Sequence, residues 1–144
     1  MVEFIRKYTL VIVVLALILL VWHGDIYNSS VVIIAGQAIA LLLAISARIA
    51  FKNQQLKLTA YPGSGSLINS GPYKFIRHPM YTAVNLFIWV SICGHFSLFS
   101  ALVGSIVTIF ALMRIAVEEK LLREHYQEYD AYTLVTKKMI PFIY

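Results

Sequence analysis

The sequence has few charged residues for its length. Of its 144 residues, 13% are Asp, Glu, Lys or Arg, whereas 60% are hydrophobic and the mean hydropathy is +0.76. Soluble domains carry about 25% charged residues, so this composition excludes an ordinary soluble domain and is typical of an integral membrane protein. The length fits one domain, and we expect residues 1–144 to form a single integral membrane domain.

Cysteine and metal-ligand patterns are also scarce. Cys93 is the single cysteine, which excludes an intrachain disulfide, and its apolar neighbours predict a buried, unreactive thiol. The sequence lacks His-x-x-His and Cys-x-x-Cys elements, which argues against a metal site. The short run Gly63–Gly65 has neither the strand before it nor the helix after it that a phosphate-binding loop needs.

Long apolar runs are plentiful, and they predict the fold class. Residues 31–51, for example, would form a helix of about 31 Å, which is enough to cross a hydrocarbon core. The first run also follows basic residues, as in a signal peptide, but the absence of a small-residue cleavage site favours a retained helix. We predict an all-α membrane protein with transmembrane helices at 4–22, 31–51, 80–96 and 98–117 and a C-terminal amphipathic cytoplasmic helix at 118–135.

The positive charges indicate an orientation. With four spans, the N-terminus, the 52–80 loop and the chain after residue 117 lie on one side of the membrane. All 12 Lys and Arg residues fall in these parts or in the helix ends that face them. The positive-inside rule therefore predicts a multi-pass protein with both termini in the cytoplasm. Anionic lipid headgroups explain the net charge of +5 without a nucleic-acid partner. The sequence predicts no particular oligomeric state.

One segment between two apolar runs is unusually polar. Residues 70–81 contain two prolines, two tyrosines, two cations and a histidine, in the order Ser-Gly-Pro-Tyr-Lys-Phe-Ile-Arg-His-Pro-Met-Tyr. A connection between two helices does not need so many polar groups. We interpret this segment as one wall of a ligand site on the cytoplasmic side.

A second polar group ends the fourth apolar run. The four-residue spacing places Arg114 and Glu118 on one helix face, with Glu119 adjacent. Facing lipid would cost about 2.5–3.5 kcal/mol per charge at mid-membrane, so we predict that this face meets Arg77 and His78. The alternative is a simple interfacial salt bridge between Arg114 and Glu118.

The C-terminal region carries a tyrosine series and an apolar tail. Tyr126, Tyr129 and Tyr132 recur every three residues, which favours an interfacial aromatic belt over ligand contacts. After Lys137 and Lys138 the chain becomes apolar again. We expect this tail to return to the membrane interface or to pack on the site.

Taken in order, these motifs resemble those of a known family. They are Gly71-x-Tyr73-x-x-x-Arg77-His78-Pro79-x-Tyr81, Arg114-x-x-x-Glu118-Glu119, Tyr129-x-x-Tyr132 and Ile140-Pro141. The set resembles the isoprenylcysteine carboxyl methyltransferases and, more distantly, the phospholipid methyltransferases. The resemblance implies a multi-pass membrane enzyme that binds S-adenosylmethionine in a cytoplasmic-side pocket, without a Rossmann domain, and releases S-adenosylhomocysteine.

The resemblance also implies roles for individual residues. Arg114 would face the acceptor, and Arg114 and Glu119 are the catalytic candidates. The cofactor would contact Gly65, Ser66, Leu67, Ile68, Tyr73, Arg77, His78, Pro79, Met80, Tyr81 and Glu118.

The acceptor predicted by the resemblance is a lipophilic or prenylated molecule within membrane lipid. A carboxylate of the prenylcysteine type is the leading prediction, and it needs no general base at neutral pH. An amine or thiol acceptor would need one, for which His78 or Glu119 is the candidate. The alternatives are methylation of a phospholipid amine or a small thiol and, from another class, a non-catalytic membrane scaffold whose polar cluster only satisfies itself.

Overall fold

The computed structural model describes residues 2–50 and 67–140, with side chains from residue 8 onward. Within these ranges the chain forms five α-helices and a 3-10 turn at Gly71–Lys74, and its one β-contact is an isolated parallel bridge between Ile76 and Lys137. The helices are α1 (Val2–His23), α2 (Val31–Ala50), α3 (Pro79–Gly94), α4 (Leu98–His125) and α5 (Tyr129–Val135).

The helix ends follow from local sequence. Gly24, just after α1, has φ +87°, a left-handed conformation that glycine adopts without strain. Pro79 opens α3 at a position that does not need a backbone N–H. Ser97 caps α4, because its side chain accepts a hydrogen bond from the Ser100 amide and its amide donates to the Ser100 hydroxyl.

The helices pack in adjacent pairs. α2 lies along α3, α1 lies along α4, and α3 contacts α4. Gly104 lies at the close α3–α4 contact, where a Cβ would lie 2.6 Å from the Cδ1 of Ile92. The apolar core comprises Ala16, Leu20, Ile88, Ile92, Val103 and Val107.

A polar chain of three side chains joins α3 to α4 within the apolar region. Thr108 Oγ1 donates to Asn85 Oδ1 at 2.8 Å, and Trp89 Nε1 donates to Thr108 Oγ1 at 3.0 Å. Such interhelical hydrogen bonds contribute about 1 kcal/mol each in membrane proteins. They fix the register of the two helices whose ends carry the polar residues.

Two of the described helices, α2 and α4, are long and apolar enough to cross a membrane. Only 11% of the apolar window of α2 is buried, so this helix exposes most of its apolar surface. α3 and the described part of α1 from Tyr8 onward are apolar but shorter. The all-helical class is confirmed for the described residues, and α2 and α4 are candidate membrane spans, while four spans stay a prediction.

The predicted amphipathic helix at 118–135 is wrong as a single element. α4 does not end at residue 117 but continues to His125, because no breaker interrupts it and its last turn carries Arg123 and His125, which favour a helix C-terminus. Tyr126 then leaves the helical conformation with φ −116° and ψ 116°. After this break, α5 starts at Tyr129 and turns back toward the start of α3.

Cys93 also differs from expectation, since it is exposed rather than buried. The buried positions near the end of α3 are Ser91 and Ile92. Cys93, one residue further along, points about 100° away from Ile92 on the helix and off the packed face.

Candidate functional site

The antiparallel arrangement of α3 and α4 brings two distant polar segments to the same end of the bundle. α3 begins at Pro79, directly after the 70–78 segment. Arg114 and Glu118 of α4 lie beside this start of α3. The 3-10 turn before α3 starts with Gly71 at φ +57° and Pro72, and it buries Tyr73. The predicted meeting of the two segments is confirmed.

Glu118 is shared by two donors from two helices. Its Oε1 accepts hydrogen bonds from the Tyr81 hydroxyl at 2.6 Å and from Arg114 Nε at 3.0 Å. Its Oε2 lies 3.7 Å from His78 Nδ1. The Arg114–Glu118 pair therefore forms, but it is not the isolated interfacial salt bridge of the alternative interpretation, because it includes α3.

Glu119 has a different and more enclosed environment. Arg77 Nε donates to its Oε1 at 2.9 Å, and these two side chains are 8% and 9% exposed. His78 Nε2 lies 3.4 Å from the same oxygen, and Lys138 Nζ lies 3.9 Å from the other. A buried carboxylate needs such cationic neighbours to remain charged.

Residues 136–139, which we call the C-terminal segment, pair with the residues that lead into α3. The Arg77 amide donates to the Lys137 carbonyl at 2.7 Å, and the His78 amide donates to the Lys138 carbonyl at 3.0 Å. In return the Lys137 amide donates to the Phe75 carbonyl at 3.0 Å. This pairing holds the backbone at His78 in place.

Side chains reinforce the same contact. The Arg77 guanidinium donates from Nη1 to the Thr136 carbonyl, and the Thr82 hydroxyl donates to the Met139 carbonyl at 2.8 Å. Arg77 thus bridges α4, through Glu119, and the C-terminal segment. Of the apolar tail predicted to return to the membrane interface or to pack on the site, Met139 packs on the site, and residues 141–144 lie outside the described part of the chain.

Two tyrosines of α5 face this site. Tyr129 is 1% exposed, and the half-buried Tyr132 donates its hydroxyl to the Tyr73 carbonyl at 2.7 Å. Burial raises the pKa of Tyr129 and raises the pKa of Tyr132 to about 12, so both phenols stay protonated at neutral pH. The aromatic-belt prediction is wrong for these two residues, because packing against the 73–77 segment turns them inward.

His78 lies between the two carboxylates. It is 6% exposed, and its Nε2 has no hydrogen-bond partner of good geometry within the described residues, although Glu119 is 3.4 Å away. A buried polar atom without a hydrogen bond is uncommon and is open to a partner from outside the chain, such as water, an ion or a ligand group. The Tyr129 hydroxyl is in the same situation within those residues.

Comparison with known proteins identifies the family. Residues 30–129 match the family model described as phospholipid methyltransferase, which covers more than half of the chain. The chain belongs to the phospholipid methyltransferase family. The predicted relationship and the predicted class, a membrane methyltransferase with S-adenosylmethionine as the general donor, are thereby confirmed. Searches of curated proteins and of solved structures found no significant match.

The family match contains both polar segments of this methyltransferase but ends at Tyr129. The structure brings together six of the predicted site residues, namely Arg77, His78, Tyr81, Arg114, Glu118 and Glu119. Pro79 is buried at the start of α3, and Met80, Leu67 and Ile68 are half-buried. Gly65 and Ser66 lie outside the described residues.

The sequence did not indicate the role of Thr136 or of the Lys137 and Lys138 backbone. These contacts use main-chain carbonyls and amides, which leave no side-chain pattern.

At the other end of α3, a cavity of about 530 Å³ is lined by Ile26, Tyr27, Asn28, Ser29, Gln37 and His95. That cavity contains none of the predicted cofactor residues, and a cofactor pocket on the cytoplasmic side stays a prediction.

Proposed function

We propose that this chain is a single-domain, multi-pass methyltransferase with four spans and cytoplasmic termini, and that its active site is the cluster where α3 begins and α4 leaves the apolar region. The observation that carries the proposal is the position of His78, within 3.7 Å of Glu118 and 3.4 Å of Glu119 on a helix remote in sequence. The family supplies the reaction type, and this geometry supports the location.

The charged and hydrogen-bonding side chains of this cluster fit S-adenosylmethionine, which carries a sulfonium, an ammonium and a carboxylate. Glu118 is the acidic partner we propose, because 19% of its side chain is exposed and Tyr81 and Arg114 hold it from one side. His78, whose buried Nε2 has no hydrogen bond within the described residues, is the proposed hydrogen-bonding partner. The further proposed contacts are Gly65, Ser66, Leu67, Ile68, Tyr73, Arg77, Pro79, Met80 and Tyr81.

The reaction requires alignment more than acid–base chemistry. When bound, S-adenosylmethionine would supply an activated methyl group, which the acceptor lone pair would take as the carbon–sulfur bond breaks and S-adenosylhomocysteine leaves. Holding both reactants in line in a water-poor site supplies much of the acceleration. The protein's part is to position the acceptor and to exclude water.

We propose Arg114 as the residue that positions a carboxylate acceptor of the prenylcysteine type. The bond from its Nε to Glu118 orients the guanidinium, and a guanidinium matches a carboxylate through two parallel hydrogen bonds. Such an acceptor is nucleophilic as the carboxylate, so no group has to remove a proton.

The family description favours a second candidate acceptor, the amine of a phospholipid. An ammonium must lose a proton before it can accept a methyl group, so this reaction needs a base near the methyl donor. His78, beside two carboxylates, is the candidate we propose for that role, with Glu119 behind it. A small thiol would need the same base.

The acceptors are separated by transfer of labelled methyl from S-adenosylmethionine in proteoliposomes, with a farnesylated cysteine or phosphatidylethanolamine as acceptor. For the carboxylate, Arg114→Ala should lower turnover by at least about tenfold, the value of one charge-assisted contact. Cofactor affinity should stay nearly unchanged because the Tyr81 hydroxyl still holds Glu118. For the amine, the same variant should have little effect on turnover.

Lys120→Ala, an exposed cation on the same helix, is the matched control. Loss of cofactor affinity in Arg114→Ala would contradict its role as an acceptor residue. Absence of label in every acceptor tested, together with no cofactor binding, would favour a non-catalytic scaffold.

A further inference from the structure

α5 has two apolar faces, and only one of them is used within the described structure. Tyr129, Tyr132 and Thr136, spaced three or four residues apart, form the inward face. The opposite face carries Leu134 and Val135, whose exposed fractions are 86% and 77%. Two adjacent large aliphatic residues exposed on a short helix are a candidate contact surface for lipid or protein.

The C-terminal segment brings two more apolar residues near this face. Because the Lys137 amide donates to the Phe75 carbonyl, Phe75 lies beside Lys137. Lys137 is two residues after Val135 and three residues before Ile140. Phe75 is 56% exposed and Ile140 is 49% exposed. We call Phe75, Leu134, Val135 and Ile140 the α5 patch.

The charges next to Phe75 are positive. Lys74 and Lys137 are exposed, and each is adjacent in sequence or by pairing to Phe75. The nearest acid on α5, Asp130, is paired with Arg123 at 3.3 Å. Apolar residues flanked by lysines are typical of segments that lie in the interface of an anionic membrane.

The position of the patch selects its partner. Phe75 belongs to the patch and lies just before the first residue of the apolar helix α3. In the first turn of α3, Tyr81 contacts Glu118, and the apolar part of α4 ends at Glu118. In a bilayer crossed by α3 and α4, the patch would therefore lie close to the headgroup layer. A soluble partner would have to displace lipid to reach it.

We propose that the α5 patch, with Lys74 and Lys137, docks on the anionic surface of the bilayer. The docked C-terminal segment is hydrogen-bonded to the Arg77 and His78 backbone, so docking also stabilises the wall of the cluster described above. This inference concerns the membrane contact of α5 and holds whichever acceptor the protein methylates.

The test uses the full chain with Cys93→Ser, reconstituted into nanodiscs that carry a nitroxide-labelled lipid. A fluorophore is attached at Leu134→Cys or, as the matched control, at Glu128→Cys in the exposed turn before α5. The account predicts strong quenching at position 134 and weak quenching at 128 in discs with anionic lipid. Equal quenching at both positions would overturn it.

The charge contribution is tested separately. Each lysine near an anionic surface changes the ratio of docked to undocked states by about fivefold, so Lys74→Gln and Lys137→Gln should each reduce quenching at position 134. Neutral discs should reduce it as well. Quenching that is unaffected by lipid charge and by both substitutions would overturn the proposed anionic partner, as would cross-linking of position 134 to a second copy in place of quenching.

Discussion

Glu118 and Glu119 are adjacent in sequence but have different surroundings. Glu118 binds Tyr81 and Arg114 and is partly exposed, whereas Glu119 is enclosed by Arg77, His78 and Lys138. The sequence assigned Glu119 to catalysis, and that assignment stays a prediction. Its contacts favour a positioning role, in which it holds Arg77 and, through Arg77, the C-terminal segment.

A double-mutant cycle separates these roles. Glu119→Ala leaves the buried Arg77 without its main partner, and we expect it to destabilise the protein by about 3 kcal/mol. Arg77→Met with Glu119→Ala removes both charges and should recover part of that loss, as measured by thermal unfolding in detergent. Additive effects of the two single substitutions would contradict a coupled pair.

At the scale of elements, the sequence predicted the meeting of two polar segments but not what holds them. The prediction for His78 and Glu118 succeeded because helix ends follow from apolar periodicity, and antiparallel neighbours bring such ends together. The extension of α4 to His125 and the pairing of the C-terminal segment were missed. The change from apolar to charged residues after Val117 suggested a helix end, although no helix breaker occurs there. The pairing depends on backbone hydrogen bonds between residues 60 positions apart, such as Arg77 and Lys137.

The backbone pairing is testable at one amide. Lys137→Pro removes the donor to the Phe75 carbonyl, whereas Lys137→Ala keeps it. Loss of one net hydrogen bond costs about 1 kcal/mol, so we expect S-adenosylhomocysteine affinity to fall about fivefold in the proline variant and to stay near wild type in the alanine variant.

Hydrogen exchange at the Arg77 and His78 amides provides the second measurement. Both amides donate to the C-terminal segment, so both should exchange faster in Lys137→Pro. Unchanged exchange together with unchanged affinity would show that the C-terminal segment does not position the site.

At the scale of the whole molecule, the amino-acid composition alone predicted an integral membrane protein. An all-helical chain with two helices of spanning length and a match to a membrane methyltransferase family agrees with 60% hydrophobic residues and 13% charge. The number of spans and the orientation depend on α1 and α3, which are shorter apolar helices, and on the distribution of lysine and arginine. Both remain predictions.

Labelling with a membrane-impermeant maleimide tests the orientation. In a Cys93→Ser background, His95→Cys lies in the exposed turn between α3 and α4, and Glu128→Cys lies in the exposed turn before α5. Four spans with cytoplasmic termini predict that intact cells label position 95, while inverted vesicles label position 128. Labelling of both positions from the same side would contradict this topology.

The most direct test of the central proposal is a calorimetric titration of S-adenosylhomocysteine into the purified wild-type protein and its Glu118→Gln and Lys120→Ala variants. If the cluster of α3 and α4 holds the cofactor, the wild type and Lys120→Ala should bind with similar affinity, and Glu118→Gln should bind at least about tenfold more weakly because a charge-assisted contact is lost. Equal affinity of all three proteins, or no binding by the wild type, would contradict the proposal.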